Sequence, residues 1–237
     1  MQVPTSKTPI ARCGQLALYS GQMLSKFPQN PNLQTLSIRM DSAGVVLDDV
    51  QAKYVSSVKV IVRARVDVRF ADWSADNIIR MAQRAAEIAD GKVGGVRASR
   101  LFPGGITPIV RPVGATQVQE MRDLENRYEV LTATWPEAAA EKDKIAAARK
   151  GYEDALNARR DALQNAGNAR TARDLAKEDF LGVYAEIAAR VKAEFPRDRK
   201  MQDLFFDDVT VVGQDTPADE PSAEAPPAGS NDAENSG

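Results

Sequence analysis

Proline placement constrains this chain more than any other feature of its sequence. No proline lies between Pro31 and Pro103, and none lies between Pro136 and Pro196. Helix interiors exclude proline, because it lacks the backbone N–H donor and its ring clashes with the preceding turn. The two proline-free spans, of 71 and 59 residues, are rich in Ala, Arg, Asp, Glu and Leu. They predict long helices or helical hairpins, and therefore an all-α fold.

Several kinds of catalytic chemistry have no support in the sequence. The chain contains no histidine, the commonest general base and metal ligand. It also has no cysteine cluster for zinc and no acidic loop for calcium. Residues 91–95 are glycine-rich, but they lack the order of a phosphate-binding loop and follow a predicted helix. A serine–lysine dyad or a carboxylate pair in a cleft stays open. We expect no enzyme, no catalytic residue, no metal and no other cofactor.

Charge is unevenly distributed along the chain. The net charge of −2 comes from 31 basic and 33 acidic residues, but eight acids and no base lie from Asp207 onward. Residues 1–206 therefore carry 25 acids against 31 bases. From Gly213 onward the chain has no large apolar residue. Such a segment buries too little surface to offset its ordering entropy, so we expect residues 213–237 to form a disordered acidic tail.

The two halves of the chain follow a similar plan. In each half, an amphipathic segment stops at a proline and a long proline-free span follows. The sequence predicts an antiparallel helical bundle of coiled-coil-like hairpins, in two similar three-helix units at residues 1–90 and 115–212. Residues 91–114 would join them. Identity between the halves is low, and the alternative is that any helical chain punctuated by proline looks repetitive.

Residues 58–70 fit two secondary structures. Their apolar residues alternate with charged ones, which is typical of a strand. The same residues also form a helical face that includes Tyr54, Ile61 and Phe70. A 13-residue strand has no obvious partner of similar length in this chain, and an unpaired strand leaves its backbone unsatisfied. We therefore expect a helix over residues 58–70. Asp72 or Ser74 is a candidate cap for the next helix, which we expect to end at Asp90 and Gly91.

The second proline-free span predicts two antiparallel helices with a turn near residues 165–170. The apolar stripe fades there, Gly167 suits a left-handed C-terminal cap, and Thr171 with Asp174 suits a capping box. One unbroken helix over 137–195, about 88 Å long, is the alternative. The stripe before the turn has coiled-coil-like spacing. It consists of Ile145, Tyr152, Leu156, Leu163 and Ala166.

Two other segments are expected to pack on the helices. Residues 91–114 form the one long stretch predicted to be non-helical, and their apolar residues favour packing over free flexibility. The stretch from Met201 to Val212 is strongly apolar, so we expect it to dock on the helical body. The single cysteine, Cys13, cannot form an internal disulfide and is expected to be a small buried hydrophobe.

Basic residues lie beside both breaks in the helical pattern. In a duplicated fold these groups would share one end of the molecule and offer a surface for an anion or an acidic partner. The alternative is solvated helix ends, where cations complement the helix dipole. The candidate partner surface comprises Arg97, Arg100, Arg111, Arg197, Arg199 and Lys200.

These observations favour two classes of function. The first is a non-enzymatic structural or protein–protein interaction module, with a protein partner or self-association. The second is an anion- or nucleic-acid-associated protein that the acidic tail regulates, although no basic stretch interleaves stacking aromatics. The start of the chain lacks a secretory signal and no stretch approaches ~20 apolar residues. We therefore expect a cytoplasmic protein with no membrane span.

Overall fold

The computed structural model of the protein describes residues 2–209, and every regular element in that range is a helix. The all-α prediction is therefore confirmed for the described part of the chain. The predicted acidic tail, residues 213–237, lies outside it. The helices are α1 (Ile10–Ser25), α2 (Pro31–Asp90), α3 (Val96–Leu101), α4 (Thr107–Val110), α5 (Ala115–Leu131), α6 (Ala138–Glu194) and α7 (Arg199–Leu204).

Helix α2 begins and ends at clear local signals. The Oδ1 atom of Asn30 accepts hydrogen bonds from the backbone N–H groups of Asn32 (3.0 Å) and Leu33 (3.3 Å). Pro31 occupies the first helical position, where its missing N–H is not needed. At the other end Gly91 adopts a φ of 66°, a left-handed conformation that favours glycine. The predicted end of the helix at Asp90 is confirmed.

Residues 58–70 are helical, as predicted, and belong to the middle of α2. A helix satisfies its backbone hydrogen bonds internally, so it needs no partner strand despite the β-branched valines. The predicted restart at Asp72 or Ser74 is wrong, because α2 runs through both residues. Residues 45–90 contain neither proline nor glycine, so nothing in this stretch interrupts the helix.

The predicted turn near residues 165–170 is also wrong, since α6 is one unbroken helix. Gly167 lies inside it, and the hydroxyl of Thr171 donates to the Gly167 carbonyl one turn earlier (3.2 Å) rather than capping a new helix. The stripe of buried and half-buried residues on α6 continues past residue 166, but it contains alanine and arginine there instead of large apolar residues. Ala166 is buried, whereas the predicted seam residue Leu163 is exposed. Ala166 lies seven residues from Arg159 and from Arg173, and both arginines are half-buried.

The connection over residues 91–114 contains two short helices, α3 and α4, so the prediction of a wholly non-helical stretch is wrong. Asp90 caps the beginning of α3, a role that was not predicted. Its Oδ2 atom accepts a hydrogen bond from the Ala98 backbone N–H in the first turn of that helix (3.0 Å). The predicted packing of the connection is confirmed at Leu101, Phe102 and Ile109, all of which are buried.

The chain forms two compact units. Among the described residues, unit 1 contains residues 2–44 and 180–209, and unit 2 contains residues 45–179. The long helices α2 and α6 each contribute residues to both units. This division does not follow the predicted halves at 1–90 and 115–212, and the internal duplication stays a prediction.

Unit 1 packs α1 against the beginning of α2 and the end of α6. A Cβ atom at Gly44 would lie 3.0 Å from that of Ala17, so α1 and α2 are in close contact there. The Arg39 guanidinium holds Glu186 of α6 (2.5 and 2.8 Å), and this ion pair lowers the pKa of Glu186. Cys13 is buried, as predicted. Other buried apolar residues here are Leu16, Leu24, Leu33, Met40, Phe180, Tyr184 and Ile187.

The segment after α7 docks on unit 1, in partial agreement with the sequence. Phe205 is buried between the rings of Phe27 and Phe195, with centroid distances of 5.1 and 5.7 Å. Phe206 is buried against Tyr184 (5.5 Å). Leu204, which was predicted to be packed, is exposed. The predicted docking of Val211 and Val212 lies outside the described residues.

In unit 2, α5 covers one stretch of α2 and α6. Tyr128 is buried, and its hydroxyl donates to the Ala82 carbonyl of α2 (2.8 Å). On the other side, Arg149 of α6 pairs with Glu125 of α5 (2.5 Å). A continuous core results, and α3 and α4 contribute Leu101 and Ile109 to it. Its other large members are Ile79, Met121, Leu124, Leu131, Trp135 and Ile145.

Candidate functional site: the outer face of α2

Arg97, one of the six residues predicted from sequence, is engaged inside unit 2. Its Nη1 atom donates to the Ala89 carbonyl at the end of α2 (2.7 Å) and lies 3.4 Å from Asp90 Oδ1. Its guanidinium also lies over the Trp135 ring, 5.9 Å from the centroid. Arg97 therefore holds α3 to the end of α2, which explains its position without a ligand.

The other five predicted residues are exposed. Arg100 and Arg111 belong to unit 2, whereas Arg197, Arg199 and Lys200 belong to unit 1. Arg199 has an acidic neighbour one turn away on α7, Asp203, at 4.0 Å. The structure thus assigns three of the six residues to each unit, and a single shared surface stays a prediction.

A more distinctive surface lies on α2 within unit 2. The inner side of this helix carries a seven-residue repeat, Leu47, Tyr54, Ile61, Val68 and Ala75, whose members are buried or half-buried. The ring of Tyr54 lies 4.3 Å from the Arg173 guanidinium of α6. A repeat of this spacing is typical of a helix that packs along another helix.

Another side of the same helix is also apolar, and it is exposed. Val66, Phe70 and Trp73 have exposed fractions of 61%, 66% and 60%. Val55 and Val62 are exposed as well. The rings of Phe70 and Trp73 lie 5.7 Å apart and form a local aromatic contact. These five residues are called the outer face of α2.

Helix geometry places the five residues on one side. Their spacings of 7, 4, 4 and 3 return close to the same direction at 100° per residue. That direction lies about 130° around the helix from the seam that contains Tyr54 and Ile61. Single exposed hydrophobic residues are ordinary, but a contiguous exposed apolar strip with two aromatic rings is the kind of surface that marks an interaction site.

The outer face has a basic surround. The stretch from Lys53 to Trp73, which spans the whole outer face, contains five basic residues and two acids, Asp67 and Asp72. The positive charge lets the face attract an anionic partner before apolar contact is made. The basic residues are Lys53, Lys59, Arg63, Arg65 and Arg69.

The prediction from sequence missed this face because it assigned only one apolar side to residues 58–70. The alternating valines distribute between two sides of one helix: Ile61 and Val68 lie on the inner seam, while Val62 and Val66 lie on the outer face. The signal that could have found it is a second set of apolar residues with helical spacing, offset from the first by a little more than a third of a turn.

A polar cluster elsewhere in unit 2 serves to join helices. Gln117 of α5 donates to Asp76 Oδ1 of α2 (2.8 Å), and the backbone N–H of Gly114 donates to the Tyr152 hydroxyl of α6 (2.7 Å). Burial raises the pKa of Asp76, and the charge of Asp72 raises it further. Within residues 2–209, no group of three or more Cys, Asp or Glu residues is placed to hold a metal ion.

Comparison with known proteins adds no assignment. No protein-family model, no curated protein and no solved structure matches this chain. Across the described helices, none has a stretch long and apolar enough to cross a membrane. The candidate site therefore depends on its own geometry and charge.

Proposed function

We propose that the protein is a non-enzymatic helical interaction module, and that the outer face of α2 is its principal protein-binding surface. The observation that carries this proposal is the exposed, contiguous apolar side of a helix whose other side already packs in unit 2. The fold of unit 2 packs against one apolar side of α2 and leaves the second apolar side exposed. Covering the second side by a partner removes apolar surface from water, which is the dominant favourable term in protein association.

Photo-crosslinking at the face tests this proposal. Full-length protein carrying a photoreactive phenylalanine analogue at Phe70 is expressed in its native cells and irradiated. We expect discrete adducts with one or a few proteins. The double variant Val62→Glu/Val66→Glu should abolish those adducts, because two charges would then lie in the apolar contact.

The matched control places the same analogue at Val130 of α5, which is 78% exposed and outside the face. Adducts should be absent there. Identical adducts at both positions, or none at Phe70, would contradict the proposal.

The anion- or nucleic-acid-binding alternative is supported by the excess of basic residues over 53–70 and by exposed Arg100 and Arg111. It predicts binding of labelled single-stranded RNA or DNA that weakens steeply with added salt. It also predicts tighter binding after removal of residues 213–237, because the acidic tail would compete for the same cations. Salt-insensitive binding, or no effect of the truncation, argues against it.

A further inference from the structure

We infer that the occupant of the outer face is an acidic amphipathic α-helix of another protein, which packs along α2 as a coiled coil. This inference rests on the proposed function and specifies the chemistry of the partner. Three observations carry it: the spacing of the apolar residues, the position of one lysine among them, and the charge around them.

The spacing is that of a coiled-coil seam. Starting from Ala52, the outward positions 55, 59, 62 and 66 follow steps of 3, 4, 3 and 4. The next steps of 3 and 4 fall on Arg69 and Trp73, and Phe70 lies one position after Arg69, at the edge of the seam. Coiled-coil partners contact each other through positions with this alternation. The inner seam at Tyr54 and Ile61 also repeats every seven residues, so the outer seam keeps a constant angle to it. A partner helix can then wind with α2 over the whole strip.

Lys59 lies in line with the apolar outward residues, seven positions after Ala52 and seven before Val66. Arg69, seven positions after Val62, is a second charged residue in the same seam. Charged residues at core positions lower stability but fix the register and the choice of partner. The partner must offer a carboxylate opposite Lys59, since an unpaired charge in an apolar contact is costly. Lys59 therefore requires an acidic residue at one core position of the partner helix.

The surrounding charge excludes a second copy of the same face as the favoured occupant. Five bases and two acids over residues 53–73 would meet the same basic excess on the other chain. Like charges across a coiled coil disfavour pairing, whereas opposite charges at the flanking positions favour it. Glutamate or aspartate at a flanking position of the partner would face Arg63, and one at a core position would face Arg69.

A lipid surface is the other anionic occupant that an apolar, basic helix can suit. The regular 3–4 spacing and the central position of Lys59 favour a helix, because each apolar residue and the lysine then have a defined opposite position. Lipid headgroups supply no such register.

The test uses full-length protein and a displayed library of heptad peptides. Their core positions carry Leu, Ile or Val with one position open to Glu or Lys, and their flanking positions carry Glu or Lys at random. We expect enriched peptides to carry Glu at the flanking positions and at the open core position. The variant Lys59→Glu should reverse the preference at that core position to Lys, and Val62→Glu/Val66→Glu should weaken binding at least tenfold. Val130→Glu should leave it unchanged.

Enrichment without an acidic preference, or binding that the double variant leaves intact, overturns the inference. So does a dimer in light scattering that Val62→Glu/Val66→Glu dissociates, because the occupant is then a second copy. Co-sedimentation with vesicles of equal parts phosphatidylcholine and phosphatidylglycerol, in place of peptide binding, also overturns it. If Phe70 still crosslinks to proteins in cells while the library shows no acidic preference, the interaction module stands and only the partner chemistry is wrong.

Discussion

Two stretches of unit 2 use the same pair of helices in different ways. Over residues 75–86 of α2, called the covered segment, α5 adds a third layer, and Ala75, Ile79, Ala82 and Ala86 are fully buried. Over residues 45–73, called the open segment, Leu47 and Ala64 are the buried apolar residues, and the others are half-buried or exposed. A helix pair alone buries one stripe on each helix, whereas a third helix closes the core.

The chemistry of the two segments differs accordingly. The covered segment is apolar, with the Tyr128 hydroxyl bonded to a backbone carbonyl. The open segment has large polar groups in the seam, with Arg173 of α6 over the ring of Tyr54. Arginine stems can cover apolar surface while the charged head stays near water, so they suit a seam that is open on its sides. The open segment thus depends less on burial and leaves an apolar face for another molecule.

The largest expected difference between the segments is in core truncation. Ile79→Ala removes a fully buried side chain from the covered segment and should lower the free energy of unfolding by about 2–5 kcal/mol. Ile61→Ala, the same change in the open segment, should cost about 1 kcal/mol, because Ile61 is half-buried. Urea denaturation of both variants measures the two values. Equal losses would show that the open segment is as tightly packed as the covered one.

The next effect concerns the contact between Tyr54 and Arg173. A double-mutant cycle with Tyr54→Leu and Arg173→Met should give a coupling energy of about 0.5–2 kcal/mol, as expected for a partly desolvated cation over an aromatic ring. Thermal unfolding of the four proteins supplies the cycle. Additive effects of the two substitutions would mean that this contact does not hold α2 to α6, and the open segment would then depend on its small apolar residues alone.

A smaller effect, dependent on pH, is expected at the border of the two segments. The pKa of Asp76 is raised above its ordinary value of 3.8, mainly by burial. Asp76 in its protonated form therefore contributes to the stability of the folded state. This contribution is fully present below the unfolded-state pKa and is lost as pH rises through the folded-state pKa. Asp76→Asn avoids this loss of stability, because asparagine does not ionise. The asparagine side-chain oxygen can still accept the hydrogen bond from Gln117.

The melting temperature of Asp76→Asn relative to wild type should therefore rise between pH 3 and pH 7. Asn77→Ser, a neutral change beside Asp76 on the same helix, is the control, because it alters no titratable group. A relative melting temperature that falls with pH would show that the bond from Gln117 outweighs burial at this carboxylate.

The sequence predicted the helices better than it predicted their partners. Proline spacing located both long helices, and Asp90 with Gly91 located the end of α2. The turn at Gly167 was mispredicted, because a glycine whose Cβ position is open to solvent interrupts no packing. The contacts of Arg97 with Ala89 and Trp135 are not visible in the sequence either, since they depend on how α3 folds back. Local signals are visible in sequence, whereas contacts between distant residues are not.

The smallest expected stability effect is at the outer face, and it separates the face from the rest of the open segment. Val66 is exposed, so Val66→Glu should change the free energy of unfolding by no more than about 0.5 kcal/mol. The inner-seam change Ile61→Glu, five residues earlier, should destabilise more, because it places a carboxylate at a half-buried apolar position. Chemical denaturation of both variants makes the comparison. If Val66→Glu destabilises as much as Ile61→Glu, the outer face is part of the protein's own core and is not free for a partner. A neutral Val66→Glu leaves an apolar side of α2 that the isolated fold does not need.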